Sequence, residues 1–204
     1  SLHFTPLEST IAYLPWVFNE DNYLQYNLNG QVDANLMATS DDSHIKLLTI
    51  QDEDGNNALT VNVANLKIQD FLNLSAFAPP ITGSFNSDML LKYKNNAILG
   101  SGILNIEDMT YDRMRLGTFD FNFKAGLDMS GNTGALLSLL VDGEEVMTGK
   151  GYIIHDSIAT QSRSKIDLTL KKFPLILANP FLGKDVAELK GTLNGELEMN
   201  GELI

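Results

Sequence analysis

Phe119-Asp120-Phe121-Asn122-Phe123-Lys124 alternates an aromatic with a polar residue, with no break over six positions. Side chains two apart in an extended strand share a face, so this stretch puts three phenylalanines on one side and Asp120, Asn122 and Lys124 on the other. The same period runs through Ile166, Leu168 and Leu170 set against Lys165, Asp167 and Thr169. It runs again through Leu193, Leu197 and Met199 against Asn194, Glu196 and Glu198, and through Val32, Ala34, Leu36 and Ala38 against Asp33 and Asn35. Half-buried strands of this kind belong to antiparallel sheets, because strands buried on both faces read as unbroken apolar runs. Asn29-Gly30 and Asp142-Gly143 are hairpin dipeptides; Asp54-Gly55-Asn56-Asn57, Asn95-Asn96 and Gly131-Asn132 also mark turns. The chain is therefore expected to be all-β, an elongated and largely antiparallel sheet folded lengthwise into a groove or a sandwich-like array.

Three stretches depart from the alternation. Pro6 to Tyr13 places Leu7, Ile11 and Leu14 at helical spacing behind Pro6. Ile68 to Ala78 and Phe173 to Val186 are apolar without a period of two. Two or three short apolar helices are expected here, each too short to stand without a sheet beneath it.

The sequence also repeats. Gly83-Ser84-Phe85-Asn86-Ser87-Asp88-Met89 matches Gly191-Thr192-Leu193-Asn194-Gly195-Glu196-Leu197 position by position, and Leu28-Asn29-Gly30-Gln31-Val32 is a third copy. Each copy follows an apolar stretch, which divides the chain into units at residues 1–64, 65–171 and 172–204. Units of this kind bury their faces on their neighbours. The last unit is cut short in mid-pattern, and a fragment of a longer repetitive protein is expected.

Composition excludes several classes of chemistry. With 14 Lys and Arg against 26 Asp and Glu the formal charge is −12, so the chain lacks the basic face that neutralises nucleic-acid phosphates. It contains no cysteine, which removes disulfides, zinc-thiolate sites and cysteine nucleophiles. There is no apolar run of about 18 residues to span a bilayer as a helix. His3, His44 and His155 lie far apart with no metal-ligand spacing. The acidic loop at residues 52–57 is rich in oxygen but lacks the ligand order of a calcium loop. Glu196 and Glu198 share a strand face, where exposed carboxylates are ordinary. Neither a nucleophile elbow nor a phosphate loop is present. No catalytic residue, cofactor site or metal site is expected, and the chain is not expected to be an enzyme.

The stretch Phe173-Pro174-Leu175-Ile176-Leu177-Ala178-Asn179-Pro180-Phe181, followed by Leu189-Lys190-Gly191-Thr192-Leu193-Asn194-Gly195-Glu196-Leu197, resembles the repeats of the TamB family. That family supplies the inner-membrane-anchored subunit of the translocation and assembly module in bacteria with two membranes. Leu104-Asn105-Ile106, Leu116-Gly117 and Val141-Asp142-Gly143 resemble its strands and hairpins; Ser87 departs from its usual glycine. The resemblance covers most of residues 65–204 and implies an elongated periplasmic β-structure with an apolar inside. It further implies a role in outer-membrane assembly, a partner of the barrel-assembly class, and transport of phospholipid by its acyl chains. The family carries no catalytic residues to transfer. On this reading Leu104, Ile106, Phe119, Phe121, Phe123, Ile166, Leu168 and Leu170 line the groove. The competing expectation is a secreted or surface β-sandwich that binds a glycan or a protein.

Overall fold

The computed structural model describes residues 1–6, 9–27, 31–52, 55–72, 80–94, 97–155, 162–182 and 189–203. They form one antiparallel, open sheet of thirteen strands. The strands are β1 (Ser9–Ile11), β2 (Leu14–Phe18), β3 (Tyr23–Tyr26), β4 (Val32–Ser40), β5 (Ser43–Gln51), β6 (Asn57–Lys67), β7 (Ile81–Lys94), β8 (Ala97–Tyr111), β9 (Met114–Leu127), β10 (Thr133–Val141), β11 (Glu144–His155), β12 (Ser162–Pro174) and β13 (Thr192–Leu203). From β4 onward each strand pairs with the next in sequence; β2 and β3 share the remaining edge of β4. A short helix, α1 (Ile68–Leu72), follows β6, and a 3-10 helix (Leu175–Phe181) follows β12.

The first expected helix is not one. Within Pro6 to Tyr13 the described residues form β1 and a two-residue turn at Ala12 and Tyr13, with φ of 55° and 65°. Ser9, Thr10 and Ile11 pair with Trp16, Pro15 and Leu14. The β-branched Thr10 and Ile11 suit a strand, and the helical spacing of the apolar residues is coincidental. Of the second stretch, Ile68–Leu72 is helical and residues 73–79 lie outside the described residues. Of the third, Phe173 and Pro174 end β12, the 3-10 helix follows, and residues 183–188 lie outside. The Asn29-Gly30 and Asn95-Asn96 turns also fall outside, as does the third repeat copy apart from Gln31 and Val32. Asp142 and Gly143, with φ of 50° and 81°, form a hairpin turn.

Residues directly opposite in a ladder share a face, so the pairing registers trace rows across the sheet. One row runs Leu36, Leu47, Val61, Met89, Gly102, Phe123, Leu137, Gly149, Leu168 and Leu197, from β4 to β13. Strand spacing makes this row about 40 Å long. The neighbouring row runs Phe18, Ala38, Ile45, Val63, Ser87, Leu104, Phe121, Leu139, Met147, Leu170 and Gly195. At Gly149 a Cβ would come within 2.8 Å of Leu137 and 2.6 Å of Leu168, so a larger residue there would push these two side chains aside. These two leucines lean over Gly149 and fill its place in the row.

The opposite face carries polar ladders between exposed apolar residues such as Ile103 and Leu136. Asn62 donates to Asp88 at 2.8 Å, Asn86 to Asn105 at 3.1 Å, and Asn105 to Asp120 at 2.7 Å. Two bulges recur on this face. Asn65 in β6 and Lys172 in β12 have left-handed backbones, with φ of 56° and 45°. Each backbone N–H donates to an asparagine across the ladder, Asn65 to Asn86 Oδ1 at 2.8 Å and Lys172 to Asn194 Oδ1 at 2.7 Å. The extra residue of a bulge has no ladder partner, and this side chain supplies one. Asn86 and Asn194 hold matching positions in the two copies, and the short helices follow the two bulges in turn. The sheet runs unbroken through both unit boundaries, which fall beside Asn65 and at Lys172.

Candidate functional site

All eight residues expected to line an apolar surface project from one face. Leu104, Phe121 and Leu170 share one row, Phe123 and Leu168 share the next, and Ile106 pairs with Phe119. Ile166 pairs with Gly151 and Met199, in a row on the other side of Leu168. The Phe121 and Phe123 rings lie 6.5 Å apart, offset along β9.

The cover over this face differs along the sheet. At the N-terminal end Trp16, Phe18, Leu36 and Ala38 form a buried cluster, with Trp16 only 1% exposed. Phe71 of α1 and Leu66 pack against it, and the Phe71 ring meets the indole at 6.4 Å between centroids. Phe4 stacks on Phe18 at 4.8 Å. Asn22 ties this end together: its amide accepts from the Phe4 N–H and donates to the Phe4 and Asn19 carbonyls. In the middle of the sheet Leu177 of the 3-10 helix reaches over β7–β10 but leaves an apolar recess of about 380 Å³, bordered by Phe85, Ile106, Phe119 and Phe121. A second recess of about 310 Å³ lies between Tyr26 of β3, Val32 of β4, Leu59 of β6, Leu91 of β7 and Ile98 of β8. At β13 the face is open, with Leu193 45%, Leu197 51% and Met199 44% exposed.

Both helices therefore reach back over strands that precede them. The 3-10 helix is fastened at its base. Asn179 Oδ1 accepts from the Leu189 N–H at 2.8 Å, and its Nδ2 donates to the Leu189 carbonyl at 3.2 Å. The Leu175 N–H donates to the Gly191 carbonyl at 3.0 Å. Sequence reading did not find this fastening, although Asn179 stood in the quoted motif.

The polar candidates do not converge. Asp52 accepts from the Asn56 N–H at 2.8 Å and pairs with Lys92 at 2.8 Å, so its carboxylate already has a cationic partner; Glu53 and Asp54 lie outside the described residues. Among the described residues there is no group of three His, Asp or Glu that could hold a metal ion. The Glu198 carboxyl is held below its ordinary range by hydrogen bonds from Asn200 and from Lys165, the opposite direction from a general acid. His3 sits against the Asn22 carbonyl at 2.7 Å. Trp16 lies beneath Phe71, where no sugar ring could stack on it.

Among the described residues no helix is long and apolar enough to cross a membrane. The chain matches no protein-family model, no curated protein and no solved structure.

Proposed function

We propose that this chain is a segment of a TamB-like, periplasmic protein anchored in the inner membrane. It supports outer-membrane assembly by carrying phospholipid or other hydrophobic clients along an apolar groove. The observation that carries the reading is the unbroken apolar row from Leu36 in β4 to Leu197 in β13, with an asparagine-rich and acidic face behind it. An ordinary core needs such a face only where something covers it. Here the row outruns both short helices and lies open at Leu197. Each acyl methylene removed from water against such a surface gains about 0.8 kcal/mol, so a lipid tail needs no polar recognition residue there. The net charge of −12 keeps the outer face in water and off anionic headgroups. A barrel-assembly protein of the outer membrane is the partner this reading implies.

The test is native mass spectrometry of the purified protein, together with Phe121→Asp. Phospholipid that copurifies with the parent and is lost from a folded Phe121→Asp protein supports the reading. A folded parent that carries none, and takes none up from phosphatidylethanolamine and phosphatidylglycerol vesicles, counts against it.

A further inference from the structure

We infer that the recess between the 3-10 helix and β7–β10 is a seat for one acyl chain. The inference rests on the reading just given and adds to it a place for the lipid tail. The recess is bordered by Ile81, Phe85, Ile106, Met109, Phe119 and Leu177, among other apolar side chains, and among the described residues its lining includes no polar or charged side chain. Its volume of about 380 Å³ is more than twice the roughly 150 Å³ of an apolar protein cavity that stays dry and takes up benzene. Water gains no hydrogen bonds there. An extended peptide segment would bring backbone N–H and C=O groups that these side chains cannot satisfy. An acyl chain has no such groups, and its polarity complements the lining.

The first helix shows what a filled site of this kind looks like. At α1 the same backward reach sets Phe71 on Trp16, and an indole and a phenyl ring occupy the space between helix and sheet. Under the 3-10 helix no tryptophan rises from the sheet, and Leu177 is smaller than Phe71. The missing volume is apolar, it opens onto the row of Leu104, Phe121 and Leu139, and it lies under a cover fastened by Asn179. A tail lying along that row would end beneath Leu177.

The chain's single tryptophan makes the test direct, because Trp16 sits in the filled cluster and is 1% exposed. A second tryptophan is introduced at Met109→Trp and, in a separate protein, at Ile81→Trp. Each is mixed with phosphatidylcholine vesicles whose acyl chains carry bromine, which quenches indole emission on contact, and bound lipid is counted by native mass spectrometry. The expected result is strong quenching of the added indole in either variant, with the Trp16 emission of the parent little changed. Either variant suffices if the other does not fold. Lipid bound in the mass spectrum without quenching at 109 and 81 would overturn this seat and leave the broader groove reading standing. Neither lipid nor quenching would remove both. Quenching by a dibromotyrosine-bearing apolar peptide, but not by the brominated lipid, would reassign the recess to a peptide. Asn179→Ala gives an independent reading: loss of its two hydrogen bonds should speed lipid release about tenfold, the factor that about 1.4 kcal/mol produces. An unchanged release rate would place the tail outside the cover and overturn the seat.

Discussion

Two short helices lie over one apolar face, and they differ in what they leave beneath. Phe71 in α1 meets Trp16 and the space is filled, so the N-terminal cluster behaves as a core. Leu177 in the 3-10 helix meets the β7–β10 face and leaves a recess of about 380 Å³. The backbone device that launches each helix is the same, a bulge at Asn65 or Lys172 locked by an asparagine on the next strand. The helices differ in type, an α-helix of five residues against a 3-10 helix of seven, and in the side chain each sets on the sheet, Phe71 against the smaller Leu177.

Truncation should separate the two regions most strongly. Trp16→Ala is expected to cost about 3–5 kcal/mol, the usual loss for a large buried aromatic. Leu177→Ala borders an existing void and should cost about 1 kcal/mol or less, since little further contact is lost. Urea unfolding followed by far-ultraviolet circular dichroism measures both without needing the tryptophan. Equal costs would break the distinction between core and recess.

The locks come next in size. Asn194 accepts from the Lys172 N–H, whereas Asn86 accepts from the Asn65 N–H and also donates to Asn105. Asn194→Ala should therefore cost about 1 kcal/mol and Asn86→Ala about 2 kcal/mol. Equal values in the same unfolding measurement would mean that the link from Asn86 through Asn105 to Asp120 adds nothing.

Ser87 sharpens the comparison of the copies further. It stands where the other copy has Gly195, on the apolar face, 8% exposed, and its hydroxyl has no hydrogen-bond partner among the described residues. Ser87→Ala removes a buried, unpaired polar atom and should raise stability by about 1 kcal/mol. A loss on this substitution would show that the hydroxyl finds a partner in solution.

Much of this was legible from the residues. The alternation in Phe119–Lys124 and in Lys165–Leu170 gave the strands and their apolar side, because the period of two is a direct consequence of extended backbone. The matched copies put Phe85 and Leu193 on the same face for the same reason. Leu193 is nevertheless 45% exposed, since β13 pairs on one side only among the described residues. What the residues did not reveal depends on backbone twists that ordinary side chains hide. Ala12-Tyr13 turns a hairpin without Gly or Asn, so the stretch read as a helix. The bulges at Asn65 and Lys172 break the alternation by one residue each, and only the recurrence of asparagine at 86 and 194 hinted at their locks. The recess is a difference in volume between two helices, which no periodicity reports.

The smallest expected effect concerns the rim of the recess. Arg115 makes two hydrogen bonds to Asp142, at 2.9 and 2.8 Å, and Asp142 Oδ1 also accepts from the Thr118 N–H at 2.9 Å. This clasp joins the β8–β9 and β10–β11 corners beside the buried Leu116, which borders the recess. The Arg115 guanidinium first, and the Thr118 N–H second, lower the Asp142 carboxyl from 3.8 to about 2. A group with a lowered folded value binds its proton more readily when unfolded. Its contribution is therefore complete above 3.8 and is lost as the pH falls through about 2. The pair is exposed and screened by solvent, so the effect is local. At the α1 end the comparable corner is joined by hydrogen bonds from Ser43 to the Asn65 carbonyl and from Asn65 to the Asp42 carbonyl, which do not titrate; the Lys67–Asp42 pair beside it is loose at 3.7 Å. Acid should accordingly release the Thr118 amide to hydrogen exchange while Trp16 emission stays constant, and Asp142→Asn should leave that amide equally exchangeable throughout. Simultaneous loss of both signals would mean that the filled core and the recess open as one unit, and the contrast between them would then be one of volume but not of stability.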